Sequence, residues 1–572
     1  MEIAHKEVIE MSRTKKVLMV QPESAGGNFE FALILRQGLL LLAAALKYWN
    51  ESGKAEFLYE PWIWYEERNG LLNPAEDLKG FDIVMITALI NEAPRAYQIA
   101  REAKECHPGI VTIGGGPHMS PLYGEAFREG GFDVIVEREG EDIIGPLCDV
   151  FMMHDPSTRR QYLEKVRGIY VEEDGRVKHI ERLIKTIPAD SVELPDYESI
   201  LGLSKGTPVL GASLETVRGC TEKCTYCQVI QQFLGYRTVR PAIQLKRIEQ
   251  IQRLVAGGLV HSSKGQSSTF LTDDLHIPPL DARKFRDFRL ARLKEWKGRT
   301  EGINFTAQVR AEVAQDPEIM EAMLEARIRM LYIGVESKND KNLKFVHKEQ
   351  TADQVERDLV ELRKRGFSLV GMTIIGLPDD TEDKIMEMAD WITGLTDFQT
   401  MNWLTPLPAT CNWTGLQPLD ARGNILPTDE AGNVPGEYGL RPYQFYTGEQ
   451  LVHYDERWTM AQSYSLGRRY YAKLRPVDDY YRRIFQASVR LNAGKWAEEV
   501  AAHFQGIISP DLVERMKQRL RTPTAERLSE LWVQVAEATN TLYDTRVVKA
   551  LRTLQTYQKL FMYTQLPRAE TV

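Results

Sequence analysis

Short apolar runs rich in β-branched residues alternate with helical stretches in two separate parts of this 572-residue chain. In the first part the apolar runs are residues 16–21, 55–60, 82–87, 110–113 and 133–136, with helices expected over 31–50 and 95–106. Alternation of strands and helices is typical of a parallel, doubly wound sheet. The first part is therefore expected to form an α/β, Rossmann-like domain, whose ligands bind beyond the carboxyl ends of its strands.

A second series of alternating elements begins near residue 214. Its expected strands are residues 214–217, 269–272, 304–309, 330–334, 368–375 and 398–403, and its expected helices are residues 243–256, 281–295, 317–326, 352–365 and 382–393. Six successive β/α units of this kind predict a right-handed parallel sheet that closes partly or fully into a TIM-type barrel.

The length of the chain exceeds what one hydrophobic core can organise, because a domain typically takes roughly 150 residues. Residues 412–450 are rich in Gly, Pro, Asn and Asp, as a long loop would be. We expect a Rossmann-like domain at 1–145, a linker at 146–205, the barrel at 206–411, a loop or lid at 412–450 and a mostly helical C-terminal domain at 451–572.

Three of the six cysteines lie within eight residues, as Cys220, Cys224 and Cys227 with the spacing C-x3-C-x2-C. Three thiolates can hold three irons of a cubane cluster and leave the fourth iron open for substrate chemistry. Structural zinc is the alternative, but it normally closes with four ligands, and the next histidine is His261. The remaining cysteines are scattered singly, which predicts small core residues: Cys106, Cys148 and Cys411.

The cysteine loop, with Tyr226 in the aromatic position, resembles the signature of radical S-adenosylmethionine (SAM) enzymes. This resemblance implies a [4Fe-4S] cluster held by Cys220, Cys224 and Cys227, with SAM bound at the open iron and Tyr226 near it. It also implies that SAM is cleaved reductively to start radical chemistry on an unactivated carbon. An electron donor such as flavodoxin or ferredoxin would then be a partner.

Polar residues and a glycine follow the expected barrel strands, where such barrels carry out their chemistry. Asp273 and Asp274 suit the ammonium of SAM, and Arg310 suits its carboxylate. Glu336 can accept a hydrogen bond from a ribose hydroxyl or an amine, and Gly376 lets the backbone approach the adenine. Each of these alone could equally be a surface charge or a helix cap. No catalytic residue is assigned.

A second resemblance rests on two groups of residues in the first domain, Thr87 with Leu89 and the glycines Gly114, Gly115 and Gly116. They resemble the elements that flank the nucleotide tail in the cobalamin-binding domain of one class of radical SAM enzymes. That resemblance implies cobalamin as a cofactor. No histidine lies between His5 and His107, so the cobalamin is expected to lack a histidine lower ligand. His118, which follows the glycines, is expected to pack in its loop, and the alternative is a domain that has lost its cofactor.

Charge and hydropathy limit the partners of the protein. A net charge of −8 argues against a nucleic-acid partner. The most apolar run, residues 38–46, is far shorter than the about 20 residues that span a bilayer, so we expect a buried helix there and no membrane span. The first residues carry acids and do not resemble a secretory signal. An iron–sulfur cluster favours a reducing compartment, which makes the cytoplasm the expected location.

The function expected from these features is radical SAM chemistry that ends in cobalamin-dependent methyl transfer to a small molecule or a peptide. Cyclisation, ring rearrangement or carbon–carbon coupling with the same initiation is the first alternative. An iron–sulfur redox sensor is the alternative from another class. Methylthio transfer is disfavoured, because that related family carries an N-terminal cysteine cluster and an RNA-binding β-module that this sequence does not show.

Overall fold

Two parallel sheets lie side by side in the computed structural model. The structure describes residues 14–23, 35–183, 186–263, 265–277, 283–404, 407–410 and 508–521, together with isolated positions at 466–467, 469–470, 473, 497–498, 501–502, 505, 531 and 534. The side chains of residues 283–285 are not described. The expected lid at 412–450 lies outside the described residues, as does most of the expected C-terminal helical domain.

Seven strands form the first sheet, in the order β2-β1-β3-β4-β5-β6-β7. They are β1 (Thr14–Gln21), β2 (Leu58–Tyr65), β3 (Ile83–Thr87), β4 (Val111–Gly115), β5 (Val134–Val136), β6 (Ile169–Glu173) and β7 (Arg176–Ile180). Strands β1 to β5 are parallel. The chain moves from β1 outward to β2 and then to β3 on the other side. This reversal creates a crevice at the carboxyl ends of β1 and β3.

Helices connect and cover these strands. They are α1 (Gln37–Glu51), α2 (Glu66–Asn69), α3 (Pro74–Asp77), α4 (Ala93–Cys106), α5 (Gly116–Met119), α6 (Tyr123–Glu125), α7 (Ile144–Met153) and α8 (Pro156–Leu163), with a π-helical turn at Ala126–Gly130. Helix α1 buries the leucines and alanines of its apolar run, so the expectation of a buried helix at 38–46 is confirmed.

Strand β2 begins later than the sequence predicts. The expected strand was residues 55–60, whereas the structure places it at Leu58–Tyr65. Pro61 cannot donate a hydrogen bond to a ladder, so a strand through it looks unfavourable in sequence. In the described part of the sheet β2 lies at the edge, with β1 as its only strand partner and a single bridge from Ile63 to Ile200, and an edge strand tolerates proline.

The stretch expected as a linker contributes to the first sheet. Strand β6 pairs antiparallel with β5, and β7 pairs antiparallel with β6. Asp174 and Gly175 connect β6 and β7 with φ angles of 51° and 73°, the left-handed pair of a two-residue type I′ hairpin turn. The sequence marks the turn, but short strands around it do not reveal that they extend a parallel sheet. Secondary structure thus continues past residue 145, and the domain boundaries remain predictions.

Six parallel strands form the second sheet, in the order β15-β14-β13-β12-β11-β8. They are β8 (Ala212–Leu214), β11 (Ser267–Leu271), β12 (Ile303–Val309), β13 (Ile328–Glu336), β14 (Ser368–Ile375) and β15 (Phe398–Trp403), while β9 (Val217–Arg218) and β10 (Arg237–Thr238) form a separate two-stranded ribbon. Among the described residues, β8 and β15 each pair with one strand only. The six strands therefore form an open, partial (β/α)6 barrel.

The helices of the second sheet follow the predicted alternation. They are α9 (Val229–Gln232), α10 (Pro241–Ala256), α11 (Arg283–Trp296), α12 (Pro317–Glu325), α13 (Asp340–Phe345), α14 (Ala352–Lys364) and α15 (Glu382–Leu395), with a 3₁₀ turn at Ala311–Gln315 and a further helix α16 at Pro510–Arg521. From the C-terminal third, Leu466 and Tyr470 pack on the β14, α15 and β15 layer.

One hydrophobic core runs through both sheets, with buried residues from β1 and α1 in the same cluster as those from β8, β11 and β12. Buried hydrogen bonds also cross the junction. Ser213 donates its hydroxyl to the Leu35 carbonyl over 2.6 Å, and Tyr197 donates to the Ser213 carbonyl over 2.8 Å. The two sheets are therefore packed directly against each other.

Candidate active site

The cysteine loop begins at a tightly constrained glycine. Gly219 has a φ of +83°, and a Cβ built on it would lie 2.0 Å from the Gly235 carbonyl oxygen. Both the left-handed backbone and the close approach therefore require glycine directly before Cys220. The loop then runs to Cys227 and ends at helix α9.

A buried carboxylate holds the start of this loop. Asp273 is fully buried after β11 and accepts hydrogen bonds from the backbone N–H groups of Thr216 and Val217, over 2.6 and 2.8 Å. It also accepts from the Thr216 hydroxyl and, over 2.7 Å, from His276 Nδ1. The sequence predicted that Asp273 binds the ammonium of SAM. Protein donors occupy both of its oxygens instead, so that prediction is revised and Asp273 is a positioning residue.

A buried hydrogen-bond chain continues from Asp273 to helix α11. Burial lowers the pKa of His276, which favours the neutral ring. With Nδ1–H donated to Asp273, Nε2 is left as an acceptor, and Arg292 Nη2 lies 3.4 Å from it. The chain Arg292–His276–Asp273 thus connects the helix layer to the backbone that leads into the cysteine loop.

The three thiols are partly exposed on the same loop. Burial raises the pKa of Cys220 to about 11 and that of Cys227 to about 12, so free thiols are protonated at neutral pH. Iron binding would then release protons, as thiolate ligation generally does. Within the described residues no three Cys, His, Asp or Glu side chains are close enough to hold a single metal ion. Thiols that each bind a different iron of a cubane need not converge on one point, so the loop fits a cluster.

Cationic side chains lie close to Cys224. The charges of Lys348 and Arg310 act to lower its pKa, against the larger effect of burial, which raises it. Arg310 is itself almost buried and pairs with Glu222, which lies between Cys220 and Cys224, and with Glu312 over 3.0 Å. The sequence predicted that Arg310 binds the SAM carboxylate. In the structure Arg310 instead pairs with Glu222, an acidic residue of the cysteine loop itself.

Glu336 occupies a strained position at the end of β13. Its φ is +61°, and the register with β14 shifts between Gly334 and Glu336, so the strand carries a bulge. Such strain is concentrated at functional sites and persists only where the surroundings hold it. Lys348 holds it here, with Nζ 3.0 Å from Glu336 Oε1 and 2.7 Å from the Gly334 carbonyl.

The other residues expected around SAM lie close to the same loop. Burial and the negative charge of Glu336 raise the pKa of Tyr226. Asp274 accepts from the Gly219 N–H over 3.3 Å, and burial together with the charge of Glu215 raises its pKa to about 7. Gly376 follows β14 with a φ of +87°, a conformation that glycine adopts readily.

The glycines at the end of β4 and the start of α5 serve mainly internal packing. A Cβ on Gly114 would lie 2.5 Å from Ile135 Cδ1, and one on Gly116 would lie 2.5 Å from Thr87 Oγ1. We predicted that all three glycines admit a ligand, but the space beside these two is filled by the chain itself. Gly115 differs, because its nearest neighbours are 3.8 Å from a built Cβ and its φ of −171° is extended.

Loop residues around these glycines are well packed. Leu89 is half-buried, and its N–H donates to Glu92 over 2.8 Å. His118 is buried, with Nε2 3.1 Å from Glu125. That contact agrees with the expectation of loop packing.

A polar crevice separates the carboxyl edge of the first sheet from the segment after the cysteines. It is lined by Pro117, Ser120, Pro121, Glu137, Arg138, Tyr170, Gln228, Gln231, Gln232, Pro408 and Ala409. Gln228, the residue after Cys227, donates to the Pro408 carbonyl over 2.9 Å, and Arg138 donates to the Gln231 carbonyl over 3.0 Å. A corrin carries many amide groups, and the amides and guanidinium here are suitable partners for them. The crevice therefore presents polar groups to a ligand between the two sheets.

A buried ion cluster joins the two sheets behind this crevice. Arg218, only 3 % exposed, donates to Glu139 over 2.6 Å and to Glu141 over 2.7 Å. It also forms a bidentate pair with Glu215, and Arg237 donates to Glu139 over 2.9 Å. Sequence reasoning missed this cluster together with His276 and Lys348. Glu139 and Glu141 were visible only as part of an acidic stretch, and nothing in the sequence pairs them with an arginine almost 80 residues later.

Not all of the other sequence expectations hold. Cys148 is buried as predicted, but Cys106 is exposed at the end of α4, and Cys411 lies outside the described residues. No helix in the described parts of the chain has the length and apolar character needed to cross a bilayer.

A doubly wound sheet, a partial barrel and a three-cysteine loop after the first barrel strand are together the features expected of a protein that holds an iron–sulfur cluster and a second cofactor. Residues 214–392 match the model of the radical SAM superfamily, and residues 68–147 match that of the B12 binding domain. The chain therefore contains a B12-binding domain followed by a radical SAM domain. These domains imply a [4Fe-4S] cluster, SAM and cobalamin as its cofactors.

Several curated proteins resemble the chain. It is 27 % identical over 348 residues to an uncharacterised methyltransferase of Pyrococcus horikoshii, covering 59 % of this chain and 70 % of that protein. It is 26 % identical over 341 residues to the anaerobic magnesium-protoporphyrin IX monomethyl ester cyclase of Rubrivivax gelatinosus, covering 57 % of each. It is 25 % identical over 416 residues to the bacteriochlorophyllide d C-12(1)-methyltransferase of Chlorobaculum tepidum, covering 70 % of this chain and 78 % of that protein.

A solved structure shares the fold. The radical SAM methyltransferase TsrM of Kitasatospora setae, with cobalamin and a [4Fe-4S] cluster bound, superposes with a TM-score of 0.56 at 15 % identity. The match covers 81 % of this chain and 89 % of that one. The arrangement of the two sheets in this chain is thus that of a known two-cofactor enzyme.

Proposed function

We propose that the protein transfers a methyl group to an unactivated carbon of a small molecule or peptide, using cobalamin together with SAM. The observation that carries this proposal is the polar crevice, because Gln228, one of its lining residues, directly follows Cys227. A cofactor bound at the carboxyl edge of the first sheet would face the cluster loop there. When bound, the cluster and SAM supply a carbon-centred radical, and cobalamin supplies a methyl carrier.

The cysteine loop and the strand ends near it would hold the cluster and SAM. Cys220, Cys224 and Cys227 provide the thiolates, while Asp273 and Arg310 fix the loop that carries them. Asp274 and Glu336 would accept hydrogen bonds from the SAM ammonium and ribose. Tyr226 and Gly376 would border the ligand, and Gly376 would admit the adenine without a side-chain clash.

The edge of the first sheet would hold cobalamin. Thr87, Leu89 and Gly115 lie at this edge, and Gly115 is the glycine with space beside it. Glu66 comes directly after β2 and is buried against Arg95 over 2.7 Å, in the region where a lower-ligand histidine would be expected. We therefore propose that cobalamin binds without a histidine lower ligand.

An electron donor completes the proposal, because reductive cleavage of SAM consumes one electron that the chain cannot supply itself. A small carrier such as flavodoxin or ferredoxin suits this role. A reducing compartment such as the cytoplasm keeps the thiols available for iron.

Ring closure or rearrangement with the same initiation is the second candidate. The similarity to the anaerobic cyclase favours it, since that relative is nearly as similar as the first methyltransferase. A redox sensor is less favoured, because a sensor needs neither a strained glutamate beside the cluster loop nor a second cofactor crevice.

Corrinoid retention tests the methyl-transfer proposal. Anaerobically purified protein is incubated with hydroxocobalamin, desalted and scanned by absorbance, and we expect about one corrinoid for each chain. Gly115→Leu should lower retention at least about tenfold without loss of iron, because the new side chain takes up the open space at the carboxyl end of β4 while its extended φ is tolerated.

Gly109→Leu is the matched control. Gly109 also has open space around it, but it precedes β4 and therefore lies at the opposite, amino-terminal edge of the sheet. The Gly109→Leu variant should retain as much corrinoid as the wild-type protein. If the wild-type protein retains no corrinoid, the methyl-transfer proposal is wrong.

A further inference from the structure

A basic, partly apolar surface lies beside the cysteine loop. We call it the α13 patch and define it as Lys338, Lys341, Lys344, Phe345 and His347. All five residues are exposed, and the side chain of Lys341 is 79 % accessible. The apolar side chain of Phe345 is 41 % exposed.

The geometry of helix α13 explains why these side chains point outward together. Asn342 and Leu343 are buried, and Asn342 donates to Asp380 over 2.6 Å. Lys341, Lys344 and Phe345, three and four residues apart, therefore share the opposite face. Lys338 and Lys344 have no acidic partner within 4 Å among the described residues, and Lys341 reaches Asp379 only at 3.7 Å.

The patch is connected directly to the cluster loop. The carbonyl of Val346, at the end of α13, accepts a hydrogen bond over 3.4 Å from the N–H of Thr225. Thr225 stands between Cys224 and Cys227. Lys348, two residues beyond Val346, is one of the two cationic residues whose charges act on Cys224. A protein seated on the α13 patch would thus lie against the backbone that carries the cluster ligands.

We propose that the α13 patch is the docking surface for an acidic one-electron carrier protein of the flavodoxin type. This inference rests on the proposed function, which requires one electron from outside the chain. Among the exposed residues of 338–349, three lysines stand against two acids, Asp340 and Glu349, on a protein whose net charge is −8. Such a patch attracts and orients an acidic partner, and the exposed Phe345 offers an apolar centre for the contact.

The electron transfer is balanced without a proton. The anionic hydroquinone of the carrier's flavin loses one electron and becomes the neutral semiquinone. The oxidised [4Fe-4S]2+ cluster gains that electron and becomes [4Fe-4S]1+. The patch contributes only the position and orientation of the carrier.

Charge reversal of the patch provides the test. In the reconstituted, full-length protein, Lys338, Lys341 and Lys344 are all replaced by glutamate. Cluster reduction is then followed by the loss of absorbance after mixing with flavodoxin hydroquinone at low ionic strength, and separately with dithionite. We expect the rate with flavodoxin to fall at least about tenfold, because steering is lost. The rate with dithionite should not change.

The control variant carries the same change in charge elsewhere. Lys54, Lys79 and Lys364 are exposed and precede β2, β3 and β14, so they lie near the amino ends of strands, away from the cysteine loop. Replacing all three by glutamate should leave flavodoxin-driven reduction within about twofold of the wild-type rate. Raising the salt should slow wild-type reduction and leave the patch variant almost unaffected, since ions screen this attraction over about 10 Å at 0.1 M.

Two results would overturn the assignment. One is flavodoxin-driven reduction of the patch variant at the rate of the control variant. The other is an equal loss with dithionite, which would mean that the lysines support the cluster itself. Failure of the proposed function gives a different result. If the protein does not cleave SAM, wild-type protein reduced by dithionite leaves SAM intact, whether or not flavodoxin reduces the cluster through the patch.

Discussion

Single buried residues organise the cysteine loop before any cofactor is bound. Asp273 accepts four hydrogen bonds from the segment before the loop and from His276. A buried carboxylate is stable only when its oxygens are paired in this way. The loop therefore depends on a residue that contacts neither iron nor SAM in our account.

We predict that Asp273→Asn lowers the free energy of unfolding by about 3 kcal/mol, because one amide oxygen cannot accept the bonds that two carboxylate oxygens accept. Denaturant unfolding of the apoprotein measures this change. The exposed Asp287 is the control, and Asp287→Asn should change stability by less than about 0.5 kcal/mol. Equal stability of the two variants would contradict the role of Asp273.

Cys224 provides a test of the three-thiolate assignment. We predict that Cys224→Ala, after anaerobic reconstitution, loses the cluster absorbance and most of its iron, because only two thiolates remain. Cys106→Ala removes an exposed thiol at the end of α4 and should bind iron like the wild type. Unchanged iron in Cys224→Ala would show that the cluster is held elsewhere.

At the scale of secondary-structure elements, the strand ends and their turns determine the site. The sequence predicted five of the six barrel strands to within two residues at each end, because most are apolar runs separated by amphipathic helices. The first strand was expected at 214–217 but is Ala212–Leu214, because the chain leaves the sheet after Leu214 and continues into the β9 ribbon. It also located the cysteine loop, since three cysteines in eight residues are rare by chance.

Long-range pairing could not be read from the sequence. Neither the extension of the first sheet by β6 and β7 nor the bulge at Glu336 follows from local patterns, because both depend on neighbouring strands. The sequence likewise placed Asp273 at a strand end correctly but could not show that Thr216 and His276 occupy its oxygens.

Two glycines with left-handed backbones allow steric crowding to be separated from backbone strain. Gly219 and Gly235 have φ angles of +83° and +76°, but only Gly219 would bring a Cβ within 2.0 Å of a carbonyl oxygen. We predict that Gly235→Ala costs about 1–2 kcal/mol for the left-handed conformation and keeps its iron. Gly219→Ala should cost more and lose the cluster, because the backbone must shift next to Cys220. Thermal unfolding measures the stability of each variant, and iron analysis measures how much cluster it holds. Similar values for the two variants would contradict this explanation.

At the scale of the whole molecule, the Arg218 ion cluster fixes the two sheets relative to each other. Glu139 and Glu141 come from the first sheet unit, while Glu215 and Arg218 belong to the strand and ribbon that lead to the cysteines. The crevice would lie between two bound cofactors, so the distance between the two sheets must stay constant. The buried ion cluster is a fixed contact that keeps this distance.

We predict that Arg218→Met destabilises the protein by about 3–5 kcal/mol, because three carboxylates lose their shared partner and only Glu139 keeps a second close one, Arg237. Hydrogen exchange should increase on both sides of the junction, around residues 137–142 and 215–220. The exposed Arg240, which pairs with Asp190 at the surface, is the control, and Arg240→Met should cost at most about 1 kcal/mol. A stable Arg218→Met protein with unchanged exchange would show that the cluster does not hold the sheets together.

Reductive cleavage of SAM at the cysteine loop forms 5′-deoxyadenosine, so the formation of this product is the direct test of the proposed chemistry. Reconstituted wild-type protein, Cys224→Ala and Cys106→Ala are each incubated anaerobically with SAM and dithionite, and 5′-deoxyadenosine is quantified by mass spectrometry. We predict its formation by the wild type and by Cys106→Ala, with none above background for Cys224→Ala. Iron-loaded, reduced wild-type protein that never forms 5′-deoxyadenosine would contradict the account.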